Sequence, residues 1–172
     1  MSNFYEMPPN ARVWIYQSNR QFNAVEIQQI ETDASKFIAG WNSHQVPMRA
    51  AAKVIYNTFL VIVLDESAVG ASGCGIDKSV HFVKQLEQQY NLNFFNRLNI
   101  CYTHNLPIGN HFQKENLSVL FTHISQINSI AINNTTHIFN NSISTFEQLT
   151  TQWIQPIQES WVANKLLISD NK

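Results

Sequence analysis

Residues Gly70 to Phe82 read GASGCGIDKSVHF and place a glycine-rich turn, a thiol and an acid within one short stretch, just after the pair Asp65-Glu66. A glycine-rich loop between a strand and a helix can wrap a phosphate in backbone N–H groups, provided a lysine follows at once to reach the terminal phosphates. Gly70 and Gly75 have the outer spacing of such a loop, but Ile76 and Asp77 stand before Lys78-Ser79, so a carboxylate sits where the anion belongs. Cys74, between Gly73 and Gly75 at a helix start, is a candidate nucleophile, because the helix dipole and unpaired N–H groups favour thiolate there. Asp65, Glu66 and Asp77 oppose that if they lie close in space, since negative charge favours the neutral thiol. His81 lies one turn after Asp77 and can pair with it, although the helical wheel turns it to solvent. The three carboxylates form at most a loose, oxygen-rich cluster of the kind that accepts magnesium. The plain alternative is structural: Asp77 caps the helix and the glycines supply the turn.

A chain that used these groups has to position them, and the apolar pattern says how. Val13 to Tyr16 is β-prone and predicts a strand over 12–17. Asn23 and Glu26 have capping-box spacing, and Ile27, Ile30, Ala34, Phe37, Ile38 and Trp41 then follow one helical stripe. Two β-rich runs, Ala51 to Tyr56 and Thr58 to Leu64, are too close for a crossover helix and predict a hairpin about Asn57. Phe59 to Leu64 shows no polar alternation, as in a strand covered on both faces, whereas Leu98 to Thr103 alternates as a half-exposed strand does. Between them the spacing predicts a helix over 77–90 that buries Val80, Val83, Leu86 and Tyr90.

The order βαββαβ is that of the ferredoxin-like split pattern, an α+β fold. Its central strand needs a second cover, expected from a C-terminal helix-strand-helix extension over about 112–161: an amphipathic helix through Leu117, Leu120, Phe121, Ile124 and Ile127, a strand at 137–139, and a helix opened by Ser144 and Glu147. The core is expected over about 11–104, all within a single domain, with a frayed tail at 162–172.

Composition narrows the partners. The chain has 172 residues, 44% of them hydrophobic and 13% charged, with a formal net charge of −1. That charged fraction is about half the roughly 25% typical of globular chains, and no Lys/Arg cluster supplies the positive field that nucleic acid or an anionic membrane requires. The longest apolar run, Phe59 to Leu64, is far too short to span a bilayer, so no membrane insertion is expected. Cys74 and Cys101 lack CxxC spacing and the histidines lack HExxH spacing, so the expectation is a cytoplasmic protein with reduced thiols, no metal and no cofactor beyond magnesium at the acidic cluster.

Several segments together resemble a small bacterial family whose members are labelled ABC transporter ATPase: ARVWIYQS at 11–18, W..H at 41–44, DES at 65–67, SGCGID at 72–77, SVHF at 79–82, RLN at 97–99, FNN at 139–141 and ESW at 159–161. The resemblance spans most of the chain and implies ATP hydrolysis. It marks Asp65, Glu66, Ser72, Gly73, Cys74, Asp77 and Ser79 as motif positions, with Trp41 and His44 in a second motif. The family's pattern places His after the final Ser-Trp, where this chain has Val162. No intact phosphate loop, LSGGQ-type signature or later acidic strand accompanies the motifs, so the residues themselves argue against ABC-type hydrolysis.

The sequence therefore predicts a non-catalytic binding or interaction domain with a small site where the 65–79 segment meets the end of the first helix. Its candidate residues are Asp65, Glu66, Ser72, Gly73, Asp77, Ser79, His81, Trp41 and His44. The partner is a small molecule or a protein, a second copy of the chain included. Two alternatives stand beside it: an enzyme using Cys74 as nucleophile or Asp65, Glu66 and Asp77 with a divalent ion, and a degenerate nucleotide-binding protein.

Overall fold

A computed structural model of the chain describes residues 2–43, 45–104, 106 and 117–166. The fold is α+β. Its first part runs β1 (Arg12–Gln17), α1 (Ala24–Gly40), two short strands β2 (Asn42–Ser43) and β3 (Val46–Pro47), β4 (Arg49–Ile55), β5 (Phe59–Asp65), α2 (Gly73–Tyr90) and β6 (Asn99–Thr103). The capping box at Asn23 and Glu26 is formed in both directions. Arg20 extends it, donating to the Glu26 carboxylate at 2.7 and 2.8 Å and to the Tyr90 carbonyl at 3.0 Å, which ties the start of α1 to the end of α2.

The strands β1, β5 and β4 form an antiparallel sheet in that order, with all of β5 buried, as its unbroken apolar run requires. The β4–β5 hairpin turns through Tyr56 and Asn57, both at positive φ (51° and 54°). Tyr56 is held in that conformation by burial and by stacking on Trp153 at 5.7 Å.

The ferredoxin-like pattern stops there. Its fourth strand would lie beside β1, but β6 instead joins β7 (Leu120–His123), β8 (His137–Phe139) and β9 (Ile154–Pro156) in a second antiparallel sheet of order β7-β6-β8-β9. The start of the outer edge of β1 is already taken: Val13 N–H donates to the Ser144 carbonyl and Phe146 N–H to the Ala11 carbonyl, each at 2.9 Å. A sheet edge offers one row of backbone groups, and the segment at 144–146 occupies its start.

The cover over β5 is thus a sheet where a helix was expected. Leu117 and Val119 are buried and Phe121 half-buried against the first sheet, a period of two, and the chain continues as a 3-10 turn over Ile124–Ser129. Helix α3 (Phe146–Thr151) begins one residue later than the expected box, with Thr145 and Gln148 as the reciprocal pair. The segment read as a frayed tail begins instead with Val162, fully buried, and a short helix α4 (Ala163–Leu166).

Four layers result. Between α1/α2 and the first sheet lie Ile30, Ala34, Ile38, Leu60, Ile62, Leu64, Val83 and Leu86. Between the two sheets lie Val13, Phe59, Val61, Val63, Cys101, Phe139 and Trp153. Outside the second sheet Ile100, Tyr102, Ile138, Ile127, Ile157 and Val162 form a third cluster. Strand β6 is therefore covered on both faces, and its alternation separates two cores, not core from solvent. Among the described residues no helix is long and apolar enough to cross a membrane.

Candidate functional site

The β5–α2 connection holds most of the acids and glycines that drew attention in the sequence, and its polar groups are turned inward. Helix α2 begins at Gly73, four residues before Asp77, and Ser72 is its N-cap, accepting from Gly75 N–H at 3.2 Å. Asp77 is exposed in the second turn and caps nothing. Asp65 is only 3% exposed; it accepts from Ser67 N–H at 2.9 Å and from Arg49 at 2.8 Å. The Ser67 hydrogen bonds, with Arg49 alongside, hold its carboxyl below the usual carboxylate range against the opposing effect of burial. Glu66 accepts from Ala71 N–H at 2.9 Å and lies 3.6 Å from Arg12. Loop amides that a phosphate would need are thus bonded to Asp65, Glu66 and Ser72.

The end of α1 does meet this segment. Trp41, 1% exposed, donates its indole N–H to the Gly75 carbonyl at 3.0 Å and packs 6.0 Å from Trp14 and 5.1 Å from Phe37. A Cβ on Gly75 would stand 3.0 Å from Met48 Cε, a contact that the flexible end of the Met48 side chain could relieve by a small shift. Ser79 is buried and donates to the Ile76 carbonyl at 2.7 Å. His44 lies outside the described residues.

Outside that contact, α1 and α2 flank an open groove of ≈ 910 Å³. Its floor is Phe37 stacked on Phe82 at 4.5 Å, and its rim carries Cys74, Asp77, Lys78 and His81. Cys74 is exposed, and among the described residues no hydrogen bond reaches its thiol; the His81 ring contacts Gln85 at 3.3 Å. Cys101 is buried, and burial pushes its thiol up. Among the described residues no three His, Cys, Asp or Glu side chains converge as metal ligands would; Asp65 and Glu66 face different partners and Asp77 is exposed.

A second cavity, ≈ 550 Å³ and more enclosed, opens where β1 meets β6 and β8 at the junction of the two sheets. Tyr16, Phe94, Phe95 and Trp161 supply aromatic walls, and Gln17, Asn140, Asn141 and Arg97 supply polar groups. The amides are fixed by a chain of hydrogen bonds: Trp153 Nε1 donates to Asn141 Oδ1 at 3.0 Å, Asn141 Nδ2 to Gln17 Oε1 at 2.8 Å, and Gln17 Nε2 to the Asn99 carbonyl at 3.0 Å. The last two bonds cross from one sheet's strand to the other sheet's neighbourhood, so the cavity wall also joins the layers. Burial holds the Tyr16 phenol above its ordinary value and keeps it neutral.

None of these cavity residues was singled out from the sequence as a ligand group. The signal was nevertheless present, because Tyr16 and Gln17 lie in ARVWIYQS, Val80 in SVHF, Arg97 and Asn99 in RLN, Asn140 and Asn141 in FNN, and Trp161 in ESW. Segments far apart in the chain meet at one place. Comparison of this chain with family models, with curated proteins and with solved structures gives no match in any of the three.

Proposed function

We propose that this chain is a binding domain whose ligand is a small molecule seated in the cavity between the two sheets. The observation that supports this is the pre-formed wall of fixed amides, Gln17 and Asn141, facing aromatic side chains in a volume of ≈ 550 Å³. Small-molecule sites are commonly concave, apolar, about 300–1,000 Å³ in size and furnished with a few oriented polar groups. ABC-type hydrolysis has less support, since the β5–α2 amides are bonded to the chain's own Asp65, Glu66 and Ser72 and Lys78 stands on the groove rim. A cytoplasmic setting belongs to the same proposal.

A screen of small fragments against the ¹⁵N-labelled full chain tests it. Hits should move the side-chain amide signals of Gln17 and Asn141 and the indole signal of Trp161, and Trp161→Ala should weaken them. Hits confined to Cys74 and His81 would transfer the site to the groove between the helices. Mg-ATP at millimolar concentration should leave the melting temperature unchanged; a rise would restore the nucleotide reading.

The second reading is the thiol. It rests on the exposure of Cys74 at the rim of the aromatic-floored groove, and a reaction with iodoacetamide that titrates no lower than an ordinary cysteine would remove it.

A further inference from the structure

The charges around the inter-sheet cavity are unbalanced in one direction. The chain's arginines are Arg12, Arg20, Arg49 and Arg97; the first three pair with Glu66, Glu26 and Asp65. Arg97 lines the cavity and has no carboxylate or hydrogen-bond partner among the described residues. Among the described residues no Asp or Glu lines the cavity with it. In the same lining, the Ser142 N–H and hydroxyl donate to Asn140 Oδ1, which fixes that amide's oxygen and leaves its Nδ2, a donor, without a partner among the described residues. Arg97, itself exposed, and the Asn140 amide thus border, with no acid among the described residues, a space whose walls include Phe95 and Trp161, 40% and 51% exposed. Exposed aromatics of that size are unfavourable in water and are the surfaces that planar apolar ligands cover.

We infer that the cavity takes a small planar organic anion, its carboxylate on the Arg97 guanidinium with the Asn140 amide beside it, and its ring against Phe95 and Trp161. The inference rests on the reading of this cavity as the ligand site. A guanidinium presents paired N–H groups that match a carboxylate bidentately, and such charge-assisted hydrogen bonds are the stronger kind. Among the described residues the lining holds a single guanidinium and no lysine, which suits one anionic group and not a polyphosphate.

Titrations of the full chain with benzoate, phenyl phosphate and benzamide at low salt, followed on the Gln17, Asn140 and Trp161 signals, test this. Benzoate should bind about tenfold more tightly than its neutral isostere benzamide, and Arg97→Gln should erase that difference while leaving the denaturation midpoint unchanged. Equal binding of benzoate and benzamide, insensitive to Arg97→Gln, would overturn the anion while leaving the cavity as the ligand site. A tenfold preference for phenyl phosphate would overturn the carboxylate in favour of a phosphate monoester. No movement of the cavity signals with any of the three would overturn the inference; the broader fragment screen then decides separately whether the cavity is a site at all.

Discussion

The β5–α2 connection and the inter-sheet cavity each gather polar side chains from a short span of space, yet they handle them in opposite ways. At the connection Asp65, Glu66 and Ser72 are bonded to the chain's own amides and Trp41 to the Gly75 carbonyl, so its chemistry-bearing side chains hold a turn and a helix start together. At the cavity the hydrogen bonds fix Gln17 and Asn141 from behind, while Arg97 and one end of Asn140 stay available. A polar group satisfied inside the fold contributes stability; one left pointing into a concave, partly apolar space is free for a ligand. The comparison can be broken by measurements that ask whether the connection is structural.

The largest effect should come from Trp41. Trp41→Ala removes a fully buried indole packed on Trp14 and Phe37 and is expected to lower stability by about 3–5 kcal/mol in urea denaturation. A loss below about 1 kcal/mol would mean that the α1–α2 contact is not what anchors the connection.

Asp65→Ala should cost about 1–3 kcal/mol, chiefly through the lost charge-assisted hydrogen bond from Ser67 N–H, because Arg49 is 55% exposed and its ion pair is screened. The sign of its pH dependence follows from the lowered native pKa: the stabilisation is complete above the unfolded value of about 4 and is lost as pH falls through the native one. The difference in denaturation midpoint between wild type and Asp65→Asn should therefore shrink from pH 7 to pH 3. A difference that grows on acidification would contradict the assignment.

The smallest contrast is the most specific. Ser72→Ala should cost about 0.5–2 kcal/mol as the loss of an N-cap, whereas Asp77→Ala should stay within about 0.5 kcal/mol. The reverse order would return the cap to Asp77 and with it the helix start that the apolar spacing suggests.

Much of the first part of the fold was legible. The Asn23–Glu26 box, the stripe from Ile30 to Trp41 and the unbroken run of β5 each have a local cause, respectively side-chain capping, helical period and burial on both faces. The misreadings share a cause as well. Leu117 to Ile127 satisfies a helical period in one dimension, but Leu117, Val119 and Phe121 also satisfy a period of two, and only pairing with β6 decides between them. Asp77 is an acceptable cap residue, yet the helix starts at Gly73, where Ser72 caps it and Trp41 bonds the Gly75 carbonyl.

The sequence by itself determined the elements whose stability is local: α1 with its box, the hairpin through Asn57 and the buried central strand. Only the tertiary structure decided that the start of the edge of β1 is closed by residues 144–146, which sends β6 into a second sheet and opens a cavity where the two sheets meet. Edge pairing and the meeting of Gln17, Arg97 and Asn141 depend on contacts between residues far apart in the chain, and no local preference encodes those.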